Sequence, residues 1–596
     1  MTQSVRSGTQ QPPTTVRLAL NLPFDAQDLA TYLFDSDTVR QWLGPDAKLS
    51  DEATPTARQG GPAEPSVEAL LSLPICKVLS LTAQVRVTLR VAPRPHGGSR
   101  LRLEHSGLEG DDERRSSVKY WQRWLNRLAV HLRVLQHNRR RERQAVVVVH
   151  GIGEQRPGQL LREFVTNVFD RQAGEVHFVK PDQLSTLFEM RMVTVPRSDG
   201  ERPTTDVYEL YWAHLIRDTT LGQVYGWVLR LIFSTIARVP HSLHNLVWAL
   251  RGGLCMAVLT AAWILGTDMP VLVKSLGTGA LAALPLFAKF VLRTLCDKYV
   301  VGFAGDAARY LEPRAGNIAR RQAIREAGAQ LLDALHDKGR YSRIIFYGHS
   351  LGSVIAYDIL NHAWALHGRR REAVPRTSSR ALRALEDLLN PRSAQSGAAS
   401  PASAMNVDSV QALQHAAWQE YRRNGFRWRV SDFVTAGSPL AHARWLLNLD
   451  ATTQFDELVR ERSFPTCPPQ TEAQRTSVPG VQRQAFTFTH AYPDPANPKA
   501  TRSVQVPHHG GVFAVTRWTN LYFPHLQMFS GDPIGGPLVA RFGHWIKDVP
   551  LRRTRGFAHG RYTDRAMEPA AVAQVRAALN LQLHRPLVDF APVQSA

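Results

Sequence analysis

At 596 residues the chain is too long for one hydrophobic core, and about two to four domains are expected. Hydrophobic residues at 44% and charged residues at 21% exclude bulk disorder. The net charge of +21 sits mostly on arginine, in runs such as Arg139–Arg141, Arg369–Arg371 and Arg552–Arg553 with Arg555. Such runs suit phosphate, but no nucleic-acid motif accompanies them and nucleic acid is excluded as a partner; the bland alternative is a coding preference for arginine over lysine.

In chain order, residues 1–15 are polar and proline-bearing, and they read as a disordered tail with no secretory signal. Four widely spaced cysteines (Cys76, Cys255, Cys296, Cys467) form no metal or redox spacing and suit reduced thiols in a cytoplasmic setting. Val16–Leu20 alternates as a strand, Asp25–Leu33 reads as a helix, and Val85–Val91 and Arg100–His105 alternate again. From Val118 to Leu135, Trp121, Trp124, Leu125, Leu128, Leu132 and Leu135 form one helical stripe. The order strand, helix with Val39 and Trp42, antiparallel strands, Leu103-Glu104-His105 with Gly107-Leu108, then Trp121, Trp124, Leu125 and Leu128 resembles the START-like (SRPBCC) domains. That resemblance implies a small α+β domain over 16–136, with a curved sheet wrapped on a long C-terminal helix, that holds an apolar ligand or a partner protein. The tryptophans read either as core or as the ligand lining. Residues 137–144, rich in arginine, read as a basic linker.

From Ala145 the pattern turns α/β, and residues 145–590 are expected to form one domain. Val146–Val149 is a continuous apolar strand of the kind buried on both faces of a parallel sheet. Helix Leu160–Asp170, strand Val207–Trp212, a strand-turn-helix over Arg343–Leu366, strands around Phe433–Thr435 and Trp518–Tyr522, and a helix over Pro569–Leu581 follow. Two stretches interrupt this alternation. Residues 369–404 are rich in arginine, serine and alanine and read as a flexible excursion. Residues 221–301 are far more apolar: Gly252–Gly266 and Ser275–Ala288 carry no charge and are flanked by Arg251, Lys274 and Lys289. They predict a helical hairpin dipping into or crossing an anionic bilayer, or a lid over an active site. The first alternative attaches a cytoplasmic protein to the inner membrane.

The chemistry concentrates in two turns. Ile344–Tyr347 runs into Gly348-His349-Ser350-Leu351-Gly352, a Gly-x-Ser-x-Gly element between a strand and a helix. The glycines leave room for a tight turn that lifts the Ser350 hydroxyl clear of the sheet and frees the Leu351 amide for an oxyanion. The valine strand runs into His150-Gly151-Ile152-Gly153, whose Ile152 amide is the expected second donor. A serine at its free pKa needs a base, and the base an acid, in the chain order serine, acid, histidine. Asp532, in the turn Gly531-Asp532-Pro533, is the preferred acid, with Asp548 and Asp432 as rivals; Asp432 opens a strand, at the wrong end of the sheet. His559, after a short strand and just before the last helix, is the preferred base, with His544 as rival. His349 is expected to point away from the reacting face, and His150 to shape the oxyanion loop.

Val148–Gly153, the run Gly348–Leu360, Asp532-Pro533 with a later histidine, and Phe303–Leu311 together resemble α/β-hydrolases related to intracellular DDHD-type phospholipases. The acid loop is longer than that family's pattern. The resemblance implies an α/β-hydrolase sheet and a Ser350–Asp532–His559 triad that hydrolyses carboxylic esters of lipids through an acyl-enzyme, with no metal or organic cofactor. A different class stays open: a non-enzymatic lipid-binding or scaffold protein built on the START-like domain.

Overall fold

The structure is a computed structural model. It describes residues 14–34, 48–49, 67–72, 86–95, 97–108, 110–140, 142–151, 158–169, 179–181, 191–197, 202–212, 310, 315–337, 340–369, 379–390, 406–446, 452–475, 482–494, 497–525, 530–552 and 556–582, with scattered positions between 233 and 258. Contacts divide the chain into two compact units, one running to Glu142 and the other from Arg143 to Leu583.

The first unit is an antiparallel sheet under a long helix. Strands β1 (Thr14–Leu22), β2 (Lys48–Leu49), β3 (Val67–Ser72), β4 (Arg86–Pro93) and β5 (Ser99–Leu108) lie in the order β1-β5-β4-β3-β2. Along β5 the inward residues Leu101, Leu103 and His105 alternate with the exposed Arg100 and Arg102, the period-two pattern of a half-buried strand. Helix Ala26–Leu33 is capped by Asp25, whose Oδ1 accepts from the Gln27 amide at 2.8 Å and the Asp28 amide at 3.2 Å. Helix Gly110–Arg140 opens on Asp111, Asp112 and Glu113, favourable charges at the positive end of its dipole. It buries Trp121, Trp124, Leu125, Leu128, Leu132 and Leu135 against the sheet. Trp121 donates from Nε1 to His105 Nδ1 at 3.1 Å and meets Trp124 edge-on at 5.7 Å, so the tryptophan stripe is core.

Two expected boundaries move. The strand starts at Thr14, inside the expected tail, because Thr14 pairs with Leu108. The expected basic linker 137–144 is mostly regular structure: the helix continues to Arg140, and a strand resumes at Arg143, whose guanidinium holds Asp206 at 2.7 Å. Basic residues in a last helical turn are favoured by the dipole, so the arginine run extends the helix rather than breaking it. Val39 and Trp42 lie outside the described residues.

The second unit is built on β6 (Arg143–Val149), β7 (Val179–Pro181), β8 (Arg191–Val195), β9 (Thr204–Leu210), β10 (Arg343–His349) and β11 (Val430–Ala436). It continues through the hairpins β12 (Glu472–Arg475) with β13 (Gln482–Ala485) and β14 (Thr487–Asp494) with β15 (Asn497–Pro507), then β16 (Arg517–Tyr522), β17 (Ser530–Gly531), β18 (Lys547–Pro550) and β19 (Gly556–Phe557). Eight of these strands form a mixed, mostly parallel sheet in the order β18-β16-β11-β10-β6-β9-β8-β7. The run from β18 to β9 is parallel throughout, and β8 and β7 add antiparallel at one edge.

Period-two alternation divides the central strands between two helical layers. Ile344 and Phe346 of β10 join Val147 and Val149 on one face, under Ile324, Leu331 and Leu335 of helix Ala315–Asp337 and Ile355, Ile359 and Leu360 of helix Leu351–Arg369. Ile345 and Tyr347 join Val146 and Val148 on the other, under Leu161, Phe164 and Val165 of helix Gln159–Val168 and Val575 and Leu579 of helix Pro569–Leu579. Both faces of the central strands are covered, which explains why Val146–Val149 is apolar without interruption. Helices 315–337 and 351–369 approach closely: a Cβ on Gly328 would lie 2.2 Å from Ile359 Cδ1.

At the amino ends of the strands lies a polar brace. Asp432 is buried, 2.7 Å from Arg517 and 3.9 Å from Arg343, and accepts from Asn580 Nδ2 at 3.0 Å. Burial alone would raise its carboxyl, but the two guanidiniums outweigh that and hold it below its usual value.

The expected flexible excursion 369–404 is corrected in part. Helix Arg380–Leu388 lies inside it, with Ser379 Oγ accepting from the Leu382 amide at 3.0 Å. Leu382 and Leu385 enter the core, and the buried Glu386 accepts from the Thr487 amide and hydroxyl at 2.9 and 2.6 Å. A short apolar stripe is diluted when composition is averaged over a longer stretch. Most of 221–301 lies outside the described residues; among the described residues no helix is long and apolar enough to cross a membrane.

Candidate active site

The turn after β10 is tight enough to require its glycines. A Cβ on Gly348 would lie 2.5 Å from Ser353 Cα, and one on Gly352 would lie 2.2 Å from the Val149 carbonyl oxygen. Between them Ser350 adopts φ 55°, a left-handed conformation uncommon for a side-chain-bearing residue. Its amide donates to the Ala436 carbonyl at 3.0 Å, which ties the strained residue to the end of β11. Helix Leu351–Arg369 starts immediately, so its first amides, Leu351 included, lack intrahelical acceptors and carry the positive end of the dipole.

The end of β6 lies against this turn. A Cβ on Gly151 would stand 2.8 Å from Ser350 Cβ and 3.4 Å from its Oγ. His150 stacks on Trp212, with ring centroids 4.9 Å apart at 7°. Its Nε2 accepts from the Trp212 amide at 3.3 Å, which leaves Nδ1–H to donate to the Gly151 carbonyl at 2.7 Å. His150 therefore orders the backbone that leads to Ile152. Ile152 itself, the expected oxyanion donor, lies outside the described residues.

A second, smaller element sets the distance between acid and base. β17 and β19 pair in parallel, Ser530 with Gly556 and Gly531 with Phe557, and the Ala558 amide donates to the Gly531 carbonyl at 2.9 Å. Asp532 leaves the end of one strand just as Ala558 and His559 leave the other. His559 Nδ1 lies 3.0 Å from both carboxylate oxygens of Asp532, and His559 Nε2 lies 2.8 Å from Ser350 Oγ. Nδ1–H thus donates to the acid and Nε2 accepts from the serine hydroxyl, the tautomer a general base needs.

Asp532 is buried and also accepts from the Ile534 amide at 2.9 Å and from the Tyr562 hydroxyl at 2.7 Å. Burial would raise its carboxyl; the neighbouring imidazole and these two donors outweigh that and hold it far below the usual carboxylate range. Two glycines make room for it. Gly437, at φ 58°, has no space for a Cβ, which would meet Asp532 Oδ2 and the Tyr562 ring at 2.8 Å each, and a Cβ on Gly535 would lie 2.7 Å from the same oxygen.

The rivals serve elsewhere. Asp432 belongs to the brace at the opposite end of β11. Asp548 accepts from the Leu538 and Val539 amides at 2.9 and 3.0 Å and from Asn520 Nδ2 at 2.7 Å, which caps the short helix Val539–Phe542. His544 meets Trp545 edge-on. His349 is half-buried beneath the base loop, with Nε2 2.7 Å from the His559 carbonyl oxygen. A separate cavity of about 390 Å³, lined by Trp364, Phe426, Phe486 and His508, begins about 20 Å further along the helix that starts after Ser350.

The structure brings Ser350, Asp532 and His559 into one hydrogen-bonded chain and places Leu351 at its edge. Sequence reasoning missed Tyr562, Gly437 and Gly535. Tyr562 lies three residues beyond His559 in the same turn, the one local signal that could have found it. Among the described residues no group of three or more histidine, cysteine, aspartate or glutamate side chains is placed to hold a metal ion. Comparison with protein-family models, with curated proteins and with solved structures returned no match to this chain.

Proposed function

We propose that the protein is a serine hydrolase of the α/β-hydrolase type that cleaves carboxylic esters through an acyl-enzyme. One observation carries this reading: a buried carboxylate, an imidazole and a serine hydroxyl stand in series at 3.0 and 2.8 Å, with the serine in a strained backbone conformation. Strain of this kind persists only where its surroundings enforce it, and packing alone gives no reason to put a serine there.

In this mechanism Ser350 Oγ attacks the ester carbonyl carbon while its proton passes to His559 Nε2. Asp532 keeps the ring in the required tautomer and offsets the charge of the imidazolium. The tetrahedral oxyanion is met by the Leu351 amide, with the Ile152 amide as the second donor expected from the sequence. Collapse expels the alcohol, which takes the proton from His559. Water then attacks the acyl-serine by the same route in reverse. Loss of one oxyanion donor raises such a barrier by about 3–4 kcal/mol, so the donors matter nearly as much as the triad.

The substrate class is a lipid ester at an anionic membrane surface. Support comes from the large apolar side chains of Phe233, Trp248, Leu254 and Val258, which are exposed, and from Arg251, whose guanidinium lies 5.6 Å from the Trp248 ring centre. Exposed aromatic and aliphatic groups beside arginine fit the interfacial zone of a bilayer. The test is twofold. A fluorophosphonate probe should label the wild-type protein at Ser350 and leave Ser350→Ala unlabelled, and a panel of neutral and anionic phospholipid vesicles should show ester hydrolysis by the wild type alone. An unlabelled wild type that co-purifies with lipid would favour a binding protein instead.

A further inference from the structure

We infer that His349 is a positioning residue for the hydrolysis proposed above, holding the base loop to the nucleophile strand through a hydrogen bond from its Nε2–H to the His559 carbonyl oxygen. The inference rests on that functional reading.

The strand's own geometry puts His349 there. Side chains alternate along β10, so His349 shares a face with Ile345 and Tyr347, away from helix 351–369. On that face Ile345 and Tyr347 pack in one cluster with Ala558 and Tyr562, the residues flanking His559. His349 is the last residue of β10 and is covalently joined to Ser350. Its Nε2 lies 2.7 Å from the His559 carbonyl oxygen, and its ring centre lies 5.0 Å from that of His559 and 5.7 Å from that of Tyr562. A backbone carbonyl only accepts, so Nε2 carries the proton. The base is thus held at three points: Nδ1 by Asp532, Nε2 by Ser350, and its main chain by the residue next to Ser350.

The ring is suited to the task for a second reason. Burial, and then the adjacent His559, push the His349 imidazole down to about 4. It stays neutral while His559 gains a proton in the reaction, so the bond to the carbonyl persists and no second positive charge appears 5.0 Å away. The register between hydroxyl and imidazole is what this bond protects, and a misplacement of about 1 Å can cost roughly 100-fold in rate.

The test compares four full-length proteins: wild type, His349→Gln, His349→Asn and His349→Phe. Active sites are counted by fluorophosphonate titration, so that misfolded molecules drop out, and kcat and KM are measured on a short-chain p-nitrophenyl ester. Glutamine can place an N–H near the position of Nε2; asparagine falls short of it, and phenylalanine keeps the ring but has no donor. Per titrated site, kcat should fall about 10- to 100-fold in the phenylalanine and asparagine variants with KM within about twofold, and glutamine should recover most of it. If phenylalanine does not fold, the glutamine and asparagine pair decides the matter alone. Equal kcat per site in glutamine and asparagine, or a phenylalanine variant at the wild-type rate, overturns the inference while labelled wild type leaves the hydrolase reading standing. A wild type that neither labels nor turns over overturns that reading and this inference with it.

Discussion

Strand β11 has a buried aspartate at each end, and the two do opposite things. Asp432, in its first half, faces Arg517 and Arg343. Asp532 packs against Gly437, just past the strand's last residue, and faces one imidazole, a tyrosine hydroxyl and a backbone amide. Five extended residues separate Asp432 from Gly437, a distance of about 16 Å. Both carboxylates are buried and both are held below their usual range. What separates them is whether the partner can change charge. Guanidinium cannot be deprotonated in a protein, so Asp432 sits in a fixed ion cluster; an imidazole can take up and release a proton, so the partner of Asp532 can change charge. A depressed carboxyl is therefore no mark of catalysis until its partner is known.

Four substitutions or conditions test that contrast. The largest effect is expected for Ser350→Ala, with kcat down by about 10⁵-fold or more and the unfolding midpoint almost unchanged, read by ester turnover and thermal melting. Asp532→Asn should follow at about 10³- to 10⁴-fold, because the amide favours the wrong imidazole tautomer, again with a fold that melts near wild type. Asp432→Asn inverts the pattern: it leaves two buried guanidiniums without their anion and should cost about 3–5 kcal/mol in urea unfolding, with kcat per titrated site within about threefold. Equal loss of activity in the two aspartate variants would erase the distinction.

The last test concerns pH dependence, and its sign follows from proton binding. His336 and His508 are buried and His349 is half-buried, and the loss of hydration lowers each, His349 and His508 to about 4. Between about pH 6.5 and 4 the unfolded chain binds protons that the folded chain refuses, so stability falls as pH drops, by at most about 1.4 kcal/mol per unit for each group. The aspartates act in a lower window. Their folded values lie below the unfolded ones, so their contribution is complete above about pH 4 and disappears as pH falls through the folded values. Urea midpoints across pH 7 to 3 should show both slopes, and Asp432→Asn should flatten only the lower one.

What the sequence revealed and concealed divides along the same physical line. Strand and helix alternation from Ala145 onward was legible because buried parallel strands read as apolar runs. Gly348, Ser350 and Gly352 were legible because a tight turn restricts residue type at fixed spacing. Asp532 and His559 followed from chain order, since loops that must present side chains fall between recognisable elements. Tyr562, Gly437 and Gly535 were not legible: each bears on the site through contact with Asp532, which lies far away in the chain from Gly437, and nothing local distinguishes a glycine that makes room for a carboxylate from one that merely turns the chain. Helix Arg380–Leu388 was hidden for a different reason, a brief apolar stripe outweighed by the composition around it.

The ladder between β17 and β19 is only two residues long, yet it sets where acid and base leave their strands. A strand advances about 3.3 Å per residue, so a slip of one position would carry the imidazole beyond reach of either partner. There is no intermediate register in which the relay works at half strength. One residue inserted between Phe557 and His559 would therefore break the Asp532–His559–Ser350 chain more completely than many replacements elsewhere on the surface, and a library of variants should keep that spacing fixed while everything around it is allowed to vary.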